Sequence, residues 1–278
     1  MPELPEVETV ARDLRTAVLG RMVLGVTLLR PSVVRHPAPE RFVDELTGTR
    51  FAAITRRGKF IDCALQRDGA TAGDLILHLG MTGHLDVRLP AERPRPHTHL
   101  SMTLDDAHEL RYADARRFGR VLLGPRAELE ALGVLPRLGV EPLSAEFTAA
   151  ALDAVLRHTT RTVKAALLDQ RGVAGLGNIY VDEICFAAGV RPTRRCHRLT
   201  RAQRQALHGA IVTVLGAAIA NRGSSIDDYR DLWDAQGTHQ EVLRVYGRAG
   251  LGCLRCGSLL RRTLVAGRGT TYCSVCQR

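Results

Sequence analysis

The sequence predicts an α+β protein: a β-sandwich or barrel with one helix packed beside it, then a helical region, then a small metal-clasped hairpin. Three observations predict this order. The first 125 residues carry one amphipathic helical pattern followed by many short strand-like runs separated by turn residues. After Pro125 the texture changes to Ala- and Leu-rich helical periods, punctuated by Pro142 and Pro192. The end returns to short strands bracketed by two Cys-x-x-Cys pairs.

Residues 6–19 read as a helix, with Val7, Val10, Leu14 and Val18 on one face, Pro5 in its first turn and Gly20 at its stop. Strand-like runs follow at 22–29, 51–65, 75–79, 84–89, 98–104 and 109–112, and Asp105-Asp106-Ala107-His108 reads as a hairpin turn. Helical periods occupy 144–158, 163–169, 179–188 and 200–221. The polar segment 222–240, RGSSIDDYRDLWDAQGTHQ, reads as a mobile loop with Trp233 as its only anchor. The expected organisation is therefore a first domain over 1–125, a linker over 126–143, a helical domain with its loop over 144–240, and a hairpin over 241–278.

The formal charge is +10 and the sequence pI about 9.8, which points to a polyanionic partner. The distribution sharpens this: Arg244, Arg248, Arg255, Arg261, Arg262, Arg268 and Arg278 close the chain with no Asp or Glu among them. No stretch approaches the ~20 apolar residues of a membrane span, and the N-terminus lacks a secretory pattern. A cytoplasmic protein without membrane contact is expected. Only two of the 39 basic residues are lysines, Lys59 and Lys164. In a chain that uses arginine nearly everywhere, both are candidates for sites that need a compact ammonium on a flexible stem.

Cys253-x-x-Cys256, a gap of sixteen residues and Cys273-x-x-Cys276 have the spacing of a tetrahedral zinc site. Four thiolates leave no position for water, so a structural Zn2+, one per chain, is expected. Cys63 and Cys185 lie in apolar runs and read as buried thiols.

The N-terminus is Met1-Pro2-Glu3-Leu4-Pro5-Glu6. Removal of Met1 exposes a secondary amine with a reference pKa near ~8, against ~10.4 for lysine. Such an amine can attack sugar C1′ and proceed to an iminium. Glu3 stands beside it as general acid or base, and Glu6 one turn on could tune it. On the residues alone, the commoner role of Pro2 and these acids is to cap the first helix. Met81 and Phe118 likewise sit where core residues would, and His78 and His84 read as structural.

MPELPEVETV at the start, HLGMTGHL at 78–85, DARRFGR at 114–120, GLGNIYVDEICFAAGVRP at 175–192 and the terminal CxxC…CxxC with GRGTTYC together resemble the formamidopyrimidine-DNA glycosylase family from end to end. The resemblance implies an N-terminal β-sandwich, a helix-two-turns-helix domain and a zinc-finger β-hairpin. It implies excision of 8-oxoguanine and ring-opened purines from double-stranded damaged DNA by a monomer, followed by β,δ-elimination. It assigns catalysis to Pro2 as nucleophile, Glu3 as proton donor, Lys59 and Arg268. DNA contacts fall to His99, Lys164 and Asn178, and Met81, Arg116 and Phe118 form a triad that fills the place of an extruded base. The family's usual Gly-Gly-Thr-Thr is here Arg222-Gly223-Ser224-Ser225, which leaves lesion preference open. A related branch acting on oxidised pyrimidines tends to have Gly where this chain has Leu4, and a non-catalytic zinc-ribbon DNA-binding protein is the alternative of another class.

Overall fold

The computed structural model describes residues 1–226 and 228–278; Asp227, within the segment expected to form the loop, lies outside the described residues. The chain divides into two compact units, Met1–Pro136 with Arg222–Gly237, and Arg137–Asn221 with Thr238–Arg278. Among the described residues no helix is long and apolar enough to cross a membrane.

The first unit opens with α1 (Leu4–Val18), whose Leu4, Val7, Ala11, Leu14 and Val18 are buried at helical spacing. Each large side chain of that stripe contributes about 1.5–3 kcal/mol by leaving water. The stripe faces β3 (Arg50–Arg57) and β4 (Phe60–Arg67). These belong to a five-stranded sheet ordered β2-β9-β5-β4-β3, with β2 (Val34–His36), β5 (Ala70–His78) and β9 (Arg120–Gly124). A four-stranded sheet ordered β1-β7-β8-β6 holds β1 (Val23–Leu28), β6 (Gly83–Arg88), β7 (Thr98–Leu104) and β8 (Glu109–Asp114). Inward residues of both sheets, among them Phe51, Ile61, Leu77, Leu100 and Tyr112, share one core with α1. Two short helices complete the unit, α2 (Pro39–Leu46) and α3 (Arg126–Ala131).

Two expectations are corrected here. The run 51–65 is not one strand: Gly58, at φ +58°, turns the chain between β3 and β4 and brings Arg57 opposite Phe60. Residues 222–237 join the first unit rather than the helical region, and Trp233 does not anchor them, being 51% exposed. Tyr229 and Leu232 are buried in the core with α1, and buried Asp231 accepts from the Trp233 and Ala235 N–H groups. The Arg222 guanidinium bridges Asp13 of α1 and Asp231, at 2.6 and 2.5 Å.

The second unit holds α4 (Ala149–Arg157), α5 (Val163–Leu167), α6 (Asn178–Ala187) and α7 (Arg201–Ala220), and ends in a hairpin of β10 (Arg261–Val265) and β11 (Arg268–Tyr272). Thr148, Thr162 and Thr200 cap α4, α5 and α7, each accepting from the backbone N–H three residues on. Every residue from Tyr180 to Phe186 of α6 is buried, which makes it the central helix of the unit. The mixed α+β architecture of sheets, helices and terminal hairpin is that expected from the sequence.

Candidate active site and nucleic-acid interface

In the first unit, Pro2 and Glu3 are buried at the mouth of α1. Glu3 takes an extended conformation (φ −103°, ψ −172°), and its backbone N–H donates to Glu6 Oε2 at 2.8 Å in a reciprocal capping box. The capping role therefore exists, and it also fixes where Glu3 and Pro2 stand. Glu6 Oε1 accepts a second hydrogen bond, 2.8 Å, from the Ser224 N–H, so one carboxylate binds the start of α1 to the 222–237 strap. A Cβ on Gly223 would lie 2.7 Å from Glu6 Oε1; only glycine lets the strap approach so closely.

Lys59 follows Gly58 in the β3–β4 turn and is buried. Arg56, three residues earlier, donates to Glu8 Oε2 at 2.9 Å, which holds that end of β3 against the first turns of α1. Phe60, next to Lys59, pairs with His78, which leads into Gly80 and Met81. Burial, and then the Lys59 and Arg120 charges, push the His78 imidazole down to about 4. His78 stays neutral, and its Nδ1 accepts from the Gly80 N–H at 3.1 Å. Burial and Arg95 likewise push His84 down to about 4.

The loop carrying Met81 and the loop carrying Arg116 and Phe118 touch backbone to backbone. Gly80, at φ +62°, would place a Cβ 2.5 Å from Gly119 N and 2.6 Å from Phe118 C. Buried Asp114, at the end of β8, organises the second loop: Oδ1 accepts from Thr82 Oγ1 at 2.6 Å, and Oδ2 accepts from Gly119 N at 2.8 Å and Tyr112 OH at 3.2 Å. Phe118 is nonetheless 54% exposed, with the Arg116 guanidinium 4.8 Å from its ring centroid. A core residue would not stand out in this way. Arg116 is exposed and Met81 half-buried, so the three stand on adjoining loops at the surface.

In the second unit, the N-terminus of α6 follows extended Gly177 and begins at Asn178, whose Oδ1 is buried without a hydrogen-bond partner. Arg268 is exposed at the first position of β11, opposite Val265 across the turn made by Ala266 (φ +49°) and Gly267 (φ +72°).

Two of the residues expected to contact DNA are buried. Lys164 is 0% exposed: its ammonium donates to Asp182 Oδ1 at 2.7 Å and Gly269 O at 3.0 Å. It is a strut joining α5, α6 and the residue after Arg268. His99 is buried with Nε2 2.8 Å from Asp114 O, and the exposed histidine of that stretch is His97, at φ +63°.

Sequence reasoning also missed two acids. Asp182 Oδ2 accepts from the Thr271 N–H at 2.9 Å, and burial raises its carboxyl to about 6 against the lowering influence of Lys164. Glu183 accepts from the N–H groups of Arg244, Val245 and Tyr246 at 2.8–2.9 Å, and burial raises it too. Two adjacent acids inside an otherwise apolar helix were the available signal.

The four cysteine sulfurs lie within 4.8 Å of one another, with Cys253–Cys276 at 3.9 Å and Cys256–Cys273 at 3.5 Å. Zinc–sulfur bonds of about 2.3 Å in a tetrahedron require sulfurs about 3.8 Å apart, so the cluster fits that ion. Gln277 holds the second knuckle, accepting from Cys273 N at 2.7 Å and donating to Val190 O at 3.1 Å.

Residues 1–121 match the formamidopyrimidine-DNA glycosylase N-terminal domain, and residues 138–230 match that family's H2TH domain. The chain is similar, at 42% identity over 279 residues and the whole of both chains, to a formamidopyrimidine-DNA glycosylase of Geobacillus kaustophilus. A solved Lactococcus lactis FPG mutant in complex with a Fapy-dG containing DNA superposes with a TM-score of 0.91 at 36% identity, over 100% of each chain. The Lactococcus lactis Fpg in complex with an abasic site containing DNA does so with a TM-score of 0.90 at 36% identity, over 99% of each. With both domains matched and the resemblance spanning the whole chain, this protein belongs to the formamidopyrimidine-DNA glycosylase family.

Proposed function

We propose that the protein is a bifunctional DNA glycosylase and abasic-site lyase of base excision repair. It removes oxidised purines, 8-oxoguanine and formamidopyrimidines, from double-stranded DNA, acting as a monomer in the cytoplasm. The observation that carries this reading is the mouth of α1: Pro2 and Glu3 are buried there beside Glu6, on the same unit as Met81, Arg116 and Phe118 on their adjoining surface loops.

The Pro2 nitrogen, freed by removal of Met1, uses its lone pair to form a bond to C1′ of the damaged nucleotide. The base departs with the electrons of its glycosidic bond and takes the proton that the Pro2 nitrogen releases; the nitrogen lone pair then breaks the C1′–O4′ bond, and Glu3 protonates O4′ as the sugar opens. The resulting iminium acidifies the C2′ proton; its loss expels the 3′ phosphate, and a second elimination expels the 5′ phosphate. Lys59 assists at the neighbouring phosphate, and Asn178 and Arg268 hold phosphate oxygens, Asn178 with the backbone N–H groups of a helix N-terminus. The triad offsets the cost of unstacking, a few kcal/mol, by filling the vacated space while Arg116 faces the orphaned base. A Zn2+ bound by Cys253, Cys256, Cys273 and Cys276 would stabilise the hairpin that presents Arg268.

Borohydride reduction during reaction tests the proposal, run across duplexes carrying 8-oxoguanine, ring-opened guanine, thymine glycol and an abasic site. A covalent adduct mapping to the Pro2 peptide, strongest on the purine lesions and the abasic site, is expected. An adduct on Lys59, or full activity in a protein confirmed to retain Met1, overturns the assignment.

A further inference from the structure

The connection between α6 and α7 carries a second basic site. Arg191, Thr193, Arg194, Arg195, Arg198 and Arg278 line one pocket of about 520 Å3, and no Asp or Glu is among them. The backbone beneath is fixed: Val163 N donates to Arg194 O at 2.8 Å, Lys164 N to Pro192 O at 3.1 Å, and Cys196 N to Arg161 O at 2.9 Å. Fully buried Cys196 anchors the 3-10 turn Cys196–Arg198.

The Arg191, Arg194 and Arg195 guanidinium groups are held by backbone carbonyls rather than by carboxylate side chains. Arg191 donates to Ser274 O and Gln277 O, Arg194 to Arg198 O and Arg195 to Thr160 O, at 3.1–3.3 Å, all of them backbone carbonyls. Among the described residues no ion pair reaches any of these five arginines, whereas Arg157 and Arg204 share Asp153, and Arg161 and Arg171 share Asp169. Arg194 Nε is withdrawn from solvent with no acceptor. Like charges in one concavity destabilise the empty site and focus a positive potential into it.

Guanidinium forks match phosphate and carboxylate oxygens bidentately. Five of them suit a ligand with several charges spaced along a chain better than a lone carboxylate, and the volume falls within the ~300–1,000 Å3 of ligand sites. The pocket lies beyond the C-terminal end of α6. Ten residues of helix, about 15 Å, separate that end from Asn178, so the pocket is distinct from the phosphate site at the helix N-terminus. We propose that this pocket binds phosphate groups remote from the lesion, supplied either by the flanking DNA backbone or by a free polyphosphate. Only the duplex part of the following test rests on the proposed reaction with DNA.

The test compares the full protein with Arg195→Gln/Arg198→Gln, both exposed positions, and with Arg195→Lys/Arg198→Lys. Zinc content and urea midpoint establish that each variant is folded. Affinity against salt is measured on abasic-analogue duplexes of about one and about three helical turns. Each phosphate contact contributes about 0.9 to the log–log slope. The expected result is a slope steeper by about 2 on the long duplex, lost in the glutamine variant and kept in the lysine variant, with the short duplex unchanged. That loss amounts to about tenfold in affinity between low and physiological salt. Alternatively, inorganic tripolyphosphate raises the melting temperature of the unaltered protein and not of the glutamine variant, which assigns the site to a free anion. If neither probe distinguishes the glutamine variant, or if short and long duplexes weaken equally, the proposal fails. Absence of short-duplex binding by the unaltered protein would instead sink the proposed reaction and leave the tripolyphosphate result readable.

Discussion

Replacing Lys164 by Met separates a buried strut from a phosphate contact. In the structure its ammonium is sealed against Asp182 and Gly269 O, and the change leaves the buried Asp182 carboxylate with the Thr271 N–H as its remaining donor. Breaking one side of such a pair costs about 3–5 kcal/mol. The pH dependence follows from Asp182, which burial already raises from 3.8 to about 6 in the presence of Lys164. A carboxyl whose folded pKa lies above its unfolded value binds more protons when folded, so its contribution to stability is full below about 4 and falls as pH rises towards about 6. Without Lys164 the folded value climbs further and the fall continues to higher pH. Urea unfolding of the second unit, followed at pH 5, 7 and 8 with zinc retained, should therefore show a penalty that grows with pH. Adding Asp182→Leu should recover most of it. A variant that keeps its stability at every pH yet loses one phosphate's worth of salt dependence, about 0.9 in slope, would refute the strut and restore Lys164 as a DNA contact.

Three further outcomes are expected. Cys273→Ser should lower bound zinc below one per chain by elemental analysis and abolish DNA binding while the first unit stays folded; full zinc in the variant would contradict the four-cysteine site. Arg116→Ala and Phe118→Ala should slow base removal much more than cleavage of a preformed abasic site, which has no base to extrude, and equal losses would mean a structural role. Gly80→Ala, which places a Cβ 2.5 Å from Gly119 N at a positive φ, should cost about 1–3 kcal/mol in melting experiments and slow excision by displacing the Phe118 loop.

Long periodic elements were readable because periodicity is a local signal: α1, α6 and α7 lie within one or two residues of their expected bounds. The cysteine spacing likewise specified the cluster, since a tetrahedral ion requires four sulfurs and little else. What failed was long-range. Three-residue β2 exists through its pairing with β9, far along the chain, and carries no pattern of its own. The strap 222–237 reads as a mobile loop because its partners, Glu6 and Asp13, lie more than two hundred positions away. Trp233 was the conspicuous apolar residue there, yet Leu232 beside it fills the core. Lys164 stood out by its rarity, and rarity does not distinguish an ammonium that meets phosphate from one that meets Asp182.

The strap carries a consequence for how such a protein can be divided or inherited. The backbone passes between units after Pro136, returns after Asn221 and passes again after Gly237, so neither unit is a continuous stretch of gene. A fragment ending at Pro136 would lack Ser224 for Glu6 and Arg222 for Asp13. Recombination that exchanged the helical half alone would bring a foreign strap to a resident α1, and the carboxylate that seats Glu3 would have to accept it. Pieces of this enzyme are therefore expected to travel between genomes together or not at all.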